Sequence, residues 1–223
     1  MKDEVAHLKN QMSDATITSK ASMDFYEGTL GTKAVVVVQS GIGKVNAAVC
    51  AQILIDTFAV NYIINTGIAG SLLNEINIGD IVVSTDALQH DVDATEFGYP
   101  LGQIPQMETL SFKADEHLVN QAVASCREVN KHIAVFQGRV VSGDQFVADS
   151  DTKQKITSTF AGFCTEMEGA AIAQVAYLNQ TPFVVIRAIS DKADDSAKMD
   201  YPVFEKQAIE NSVRLVNHMV EKL

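Results

Sequence analysis

The side chains in this sequence that could do chemistry are carboxylates set among small and apolar residues. Asp191 follows Ser190 just after the apolar run Phe183-Val-Val-Ile-Arg187. An Asp in that position can cap a turn. Buried, it can instead hold a proton, because desolvation disfavours its charged form, and serve as a general acid. Glu166-Met-Glu168 precedes the small-residue run Gly169-Ala-Ala-Ile-Ala173. Acidic residues in a first helical turn serve the helix dipole. Around a polar ligand the same pair suits a ribose 2′,3′-diol, since one carboxylate accepts from both hydroxyls. Glu4, three residues before His7, reads by itself as a solvated surface residue.

Gly41-Ile-Gly43 is either a tight structural turn or a cradle for an anion at a helix N-terminus. It lacks the third glycine of a dinucleotide fingerprint, and Lys44 is not followed by the Ser or Thr of a P-loop. His90, Asp91 and Asp93 are metal-ligand types, but the rest of the sequence offers no matching set, so no metal is expected. His7, His117, His132 and His218 are scattered and carry no pattern.

These residues need elements to hold them. Residues 2–12 have the apolar spacing of a short amphipathic helix. Lys33–Gln39 reads as a buried strand, followed after the glycine turn by a helix from about Val45 to Thr57. Strands are predicted at Tyr62–Thr66, Asp80–Ser84, 133–141 and Phe183–Arg187, and helices at 115–130 and 151–159. A further helix is predicted to open at Cys164–Glu168 and run on through Tyr177, and another to span 202–222. Strands alternating with helices imply an α/β layered fold, and no linker or repeat divides residues 1–223. In such sheets ligands gather where strands end. That rule selects Ser40–Gly43, Thr66–Gly70, Ser142–Val147 and Arg187–Asp191.

Composition narrows the partners. The chain has 223 residues, 47% of them apolar, and a formal charge of −11. With no basic stripe, an extended nucleic-acid surface is not expected. No apolar run approaches the ~18 residues of a membrane span. The polar start MKDEVAHLKNQM is no signal peptide, so a cytoplasmic protein is expected. Three widely spaced cysteines without a CxxC pair read as reduced and structural.

Taken in order, the motifs converge. Ser40-Gly-Ile-Gly-Lys-Val45, Ile64-Asn-Thr-Gly-Ile-Ala-Gly70, His90-Asp-Val-Asp-Ala-Thr-Glu-Phe-Gly-Tyr99, Val141-Ser-Gly-Asp144, Glu166-Met-Glu-Gly-Ala-Ala-Ile-Ala173 and Val185-Ile-Arg-Ala-Ile-Ser-Asp191 run through nearly the whole chain. Together they resemble the methylthioadenosine/S-adenosylhomocysteine nucleosidases of the purine nucleoside phosphorylase/nucleosidase superfamily. The resemblance implies a three-layer α/β/α sandwich around a central twisted mixed sheet. It also implies hydrolysis of an N-ribosidic bond without a cofactor.

Under that resemblance Asp191 protonates adenine N7 and Glu4 activates the attacking water. Met167 and Glu168 hold the ribose hydroxyls, Phe146 stacks on adenine, and the backbone of Val147 reads the edge of the base. Arg187 is a polar support. Ile42, Phe97, Tyr99 and Tyr201 line the 5′-thioalkyl position. A loop near Ile104 and Pro105 reaches in from a neighbouring subunit, implying a homodimer.

The sequence departs from the family pattern twice. Family members begin with a buried strand ahead of their Met-x-x-Glu stretch, and that first strand is absent from the sequence given. The gap it leaves in the sheet is expected to expose apolar surface and unpaired backbone. The family's usual Ser is replaced by Ile68, removing a hydroxyl from near the ribose or water. Three alternatives stay open: a phosphorolytic relative, a hydrolase for a futalosine-type nucleoside, and a nucleoside-binding protein without turnover.

Overall fold

The structure is a computed structural model that describes residues 2–223, apart from the side chains of Lys2 and Met199. It opens with helix α1 (Lys2–Lys9), shorter than the periodicity predicts, and then a hairpin, β1 (Met12–Lys20) and β2 (Met23–Leu30), that the periodicity does not predict. Strand β3 (Lys33–Val38) continues the hairpin into a three-stranded antiparallel sheet. The chain then enters α2 (Lys44–Phe58) through Gly43, whose φ of +89° favours glycine.

The remaining strands are β4 (Ile63–Ser71), β5 (Ile81–Gln89), β6 (Phe112–Lys113), β7 (Val135–Ser142), β8 (Cys164–Glu166) and β9 (Phe183–Asp191). β4 runs parallel to β9, and β5 parallel to β7. β9 also pairs antiparallel with β5, and β8 bridges β7 to β4, so the mixed sheet curls into a closed ring. Strands β5 and β9 are buried over almost their whole length, as continuous Val and Ile runs require. Helices α2 and α5 (Gly169–Leu178) pack together over one face. Helices α1, α3 (Glu116–Val129) and α6 (Ala197–Lys222) cover the other, completing three layers. Helix α4 (Ser150–Phe160) flanks a second small core of Leu72, Leu88, Val141, Val147, Ile156 and Phe160. No helix among the described residues is long and apolar enough to cross a membrane.

Three sequence expectations need correction. Cys164–Glu166 is a strand and α5 starts only at Gly169; the Glu166 carboxylate pairs with Arg187 and also accepts from the Gly169 N–H that opens α5. Thr66–Gly70 and Arg187–Asp191 lie within β4 and β9 instead of in loops after them. The last helix begins at Ala197, ahead of Pro202.

A gap separates the two sheets. No ladder joins β3 to β4 among the described residues. Between them lies a cavity of about 350 Å³, bordered by Val35 and Val37 on one side, Ile63 and Asn65 on the other, and Glu4 and Leu8 of α1. Unpaired backbone groups along such edges cost on the order of 1–3 kcal/mol each where water cannot reach them.

Candidate active site

The centre of the site is a buried ion pair. Glu166, at the end of β8, accepts from the Nε and Nη2 of Arg187 on β9, the former at 3.1 Å. It also accepts from Ser142 Oγ, from the Glu168 N–H at 3.1 Å and from the Gly169 N–H at 2.8 Å. Burial would raise the Glu166 carboxyl, but the Arg187 charge and these donors override it and hold it below the usual glutamate range. Arg187 donates further to the Asn65 carbonyl at 3.2 Å and to the Asn65 side chain. The guanidinium lies along Gly67, where a Cβ would meet its carbon at an ordinary contact distance of 3.5 Å. Glu166 and Arg187 are therefore committed to each other.

Glu168, two residues on, accepts from the Gly43 N–H at 2.8 Å, which ties the glycine turn to the start of α5. Burial first, and then the nearby Glu166 charge, push its carboxyl above the usual range. Met167 is half-buried between the two acids.

Asp191 closes β9 and is 2% exposed. Its Oδ1 accepts from the Ala193 N–H and its Oδ2 from Ser190 Oγ, both at 2.8 Å. Burial pushes this carboxyl above the ordinary aspartate range despite both bonds. Gly70 must stay bare beside it, since a Cβ there would sit 2.7 Å from Asp191 Oδ1. The capping role open to Asp191 and the proton-holding role thus coexist in one geometry.

An aromatic pair includes one residue that feels the charge of this acid. Phe146 meets Tyr201 edge-on with ring centroids 5.8 Å apart. The Tyr201 hydroxyl is pushed up to about 12 by burial, by Glu205, and by the charges of Asp191 and Glu168. Tyr201 therefore stands within electrostatic reach of both carboxylates. Val147 is buried while Phe146 is half-exposed, so the 142–147 loop turns one face to the core and the other outward.

Other predicted residues are less gathered. Ile42 and Phe97 are 73% and 83% exposed. Tyr99 uses its hydroxyl to accept from the Gln106 N–H at 3.2 Å, which shapes the loop holding Pro105. Ile104 packs on this chain's own core, and Pro105 is exposed.

Glu4 is not a solvated surface residue. It is 1% exposed in the first turn of α1, and Thr66 Oγ1 on β4 donates to it at 3.3 Å. Thr66 also contacts Ser212 of α6. Ile68, two residues along the strand and so on the same face as Thr66, packs against the core.

The His90–Asp93 run has internal partners. His90 is buried against Phe160 and Thr165, Asp91 pairs with Lys44 at 2.7 Å, and Asp93 accepts from both the N–H and the hydroxyl of Thr95. Sequence reasoning selected the segments that start at Thr66 and Ser142 without giving either residue a role, and it missed Asn65, Ser212 and this lysine pairing. Each is a common polar residue whose partner lies far along the chain.

Comparison with known proteins identifies the family. The phosphorylase superfamily model matches residues 1–221. The 5′-methylthioadenosine/S-adenosylhomocysteine nucleosidase of Staphylococcus haemolyticus is 41% identical over 100% of this chain and 97% of its own. The Neisseria meningitidis nucleosidase of the same name, solved with methylthio-immucillin-A, superimposes with a TM-score of 0.96 at 42% identity, covering 100% of this chain and 96% of its own. A futalosine hydrolase of Helicobacter pylori has a TM-score of 0.94 at 32% identity, covering 100% and 95%. By fold and kinship, this chain belongs to the phosphorylase superfamily and, within it, to the methylthioadenosine/S-adenosylhomocysteine nucleosidases, which are N-glycosyl hydrolases.

Proposed function

We propose that this chain hydrolyses the N-ribosidic bond of 5′-methylthioadenosine and S-adenosylhomocysteine, releasing adenine and the thio-ribose. The reading rests chiefly on Asp191, a carboxyl sealed from water, pushed toward its protonated form, and within electrostatic reach of Tyr201, which meets Phe146 edge-on. Purine anion is a poor leaving group. Asp191 passes its proton to adenine N7 as the C1′–N9 electrons move onto the ring, so the base departs neutral. The ribose gains oxocarbenium character, and water attacks from the opposite side. Glu4 orients that water and takes its proton. Both carboxyl groups return to their starting states by exchange with solvent.

Glu168 and the Met167 segment hold the ribose hydroxyls, and the Glu168 charge supports the cationic sugar. Phe146 stacks on the base, whose edge meets the backbone of Val147. Arg187 supports the site indirectly, by fixing Glu166. Ile42, Phe97, Tyr99 and Tyr201 line the 5′-thioalkyl end. A second copy completes that lining with its own Ile104 and Pro105. The exposed apolar side chains Val45 and Val49 of α2 and Tyr177 and Leu178 of α5 favour such a homodimer, since α2 and α5 pack together.

Phosphorolysis is disfavoured by what surrounds the glycine turn. The Lys44 ammonium is held by Asp91 and Gln89, and the Gly43 and Lys44 N–H groups are taken by Glu168 and Asp144. A futalosine-type nucleoside is the second reading, favoured by the likeness to the Helicobacter pylori hydrolase. Adenine release from methylthioadenosine in phosphate-free buffer tests the proposal, with futalosine assayed in parallel. Turnover of methylthioadenosine alone is the expected result. A strict phosphate requirement, or turnover of futalosine only, would overturn it.

A further inference from the structure

Lys44 and Asp91 carry none of the roles proposed above, yet they join the start of α2 to the end of β5 and to the loop that carries Phe146 and Val147. The Lys44 Nζ donates to Asp91 Oδ1 at 2.7 Å and to Gln89 Oε1 at 3.0 Å, at the end of β5. The second oxygen of Asp91 accepts from the Asp144 N–H at 2.9 Å, and Asp144 Oδ1 accepts in turn from the Lys44 N–H at 2.8 Å. Three of these bonds, Lys44 Nζ to Asp91, Asp144 N–H to Asp91 and Lys44 N–H to Asp144, close a ring through the first turn of α2, the segment just after β5 and the loop that carries Phe146 and Val147, and the bond to Gln89 branches from it. Next to the ring, the Gly43 N–H holds Glu168. On its far side, Gln89 Nε2 donates to Gln174 of α5 at 2.6 Å.

The ring is built to tight tolerance. A Cβ on Gly43 would meet Asp144 Oδ1 at 3.1 Å, at a φ of +89°. Lys44 and Asp91 are only partly exposed, with side chains 19% and 25% accessible, so solvent screens their attraction incompletely. Burial works against the Asp91 carboxylate, but the Lys44 bond and the Asp144 N–H outweigh it and hold Asp91 ionised. A charged hub bonded to three separate backbone segments costs less to keep in register than three independent loops, since each fixed segment restricts the next.

We propose that Lys44 and Asp91 are positioning residues of the nucleosidase site, fixing the purine-holding loop at 142–147 against the ribose carboxylate Glu168. The inference deepens the nucleosidase reading and rests on it. Neither residue moves a proton in the reaction. Their effect falls on how tightly base and sugar are held together, and hence on KM more than on kcat.

The test uses the full chain with Asp91→Ala, Lys44→Met and the double variant. Adenine affinity is read by titration calorimetry, and methylthioadenosine turnover by steady-state kinetics. Each single variant is expected to raise the adenine Kd and the methylthioadenosine KM about tenfold, with kcat changed less than about threefold. The double variant should be little worse than either single one, because both remove the same ring. Lys44→Arg should recover much of the loss. If Asp91→Ala does not fold, Asp91→Asn, which keeps the volume and one acceptor, takes its place, with a rise of at least about threefold in both constants expected from the lost charge. Folded variants with Kd and KM within twofold of the parent would overturn the inference, as would additive losses in the double variant. A parent protein that neither binds adenine nor cleaves methylthioadenosine would overturn the nucleosidase reading itself, and the inference with it.

Discussion

Replacing Asp191 by Asn separates the proton from the shape that holds it. Asn has nearly the same volume, and its Oδ1 can still accept from the Ala193 N–H. The amide nitrogen would face Ser190 Oγ, which can rotate to accept instead of donate. The cost to the fold is therefore about one exchanged hydrogen bond, roughly 1 kcal/mol or less. Above the raised pKa of Asp191 the change should even help, because the parent has by then lost stability as its buried carboxyl ionised on the way up through that pKa, whereas the amide carries no charge to bury. Catalysis has no such compensation. Proton donation by a positioned acid contributes roughly 10²–10⁴-fold, or about 3–5 kcal/mol of barrier. We expect Asp191→Asn to lose at least about a hundredfold in kcat while its melting temperature stays near that of the parent. A p-nitrophenyl riboside, whose leaving group needs no proton, should suffer far less from the same substitution. Adenine release can be followed by absorbance and folding by calorimetry. A folded variant retaining more than about a tenth of the parent kcat would refute the acid role, since the loss would fall below the range for acid catalysis.

Other outcomes follow from the same geometry. Glu166→Gln leaves the buried Arg187 charge without its carboxylate and should destabilise the chain by about 3–5 kcal/mol in urea denaturation. Because the folded pKa of Glu166 is depressed, the parent should lose this stabilisation as pH falls through that value, and the variant should show a flatter acid limb. Gly43→Ala forces a side chain into positive φ against Asp144 and should cost about 1–3 kcal/mol by the same denaturation assay, with KM raised as Glu168 loses its N–H donor. Glu4→Gln should reduce kcat about a hundredfold through loss of water activation, with KM little changed in initial-rate assays; full activity would remove the base assignment.

How much of this was legible in the sequence depends on the range of the interaction. Helices α3 and α4 announce themselves through Asp115 and Asp149, which accept from the Leu118 and Thr152 N–H groups as N-caps. The apolar runs of β3, β5 and β9 are equally direct. The β1–β2 hairpin is not. β1 is exposed along most of its length, so no apolar alternation marks it, and its turn is made by Ala21 and Ser22 at positive φ instead of by glycine or Asn-Gly. β8 is only three residues long and runs into an acidic stretch that looks like a helix start. In the candidate site, Asp191 and Glu168 stand in sequence patterns that announce a polar site. The ring next to Glu168 does not, because Lys44 reaches 47 residues to Asp91 and 100 to Asp144. Glu4 likewise reads as a surface residue until Thr66 is brought beside it.

The central claim is that one carboxyl at the end of β9 keeps its proton at a pH where an ordinary aspartate has lost it. The carboxyl carbon of Asp191, identified by comparison with Asp191→Asn, can be followed by carbon-13 NMR across a pH series in the unliganded protein. We predict a titration midpoint clearly above the usual aspartate range, matched by a fall in kcat/KM on the alkaline side of the same midpoint. An Asp191 signal that titrates at or below the ordinary value, in an enzyme that still releases adenine, would contradict the account.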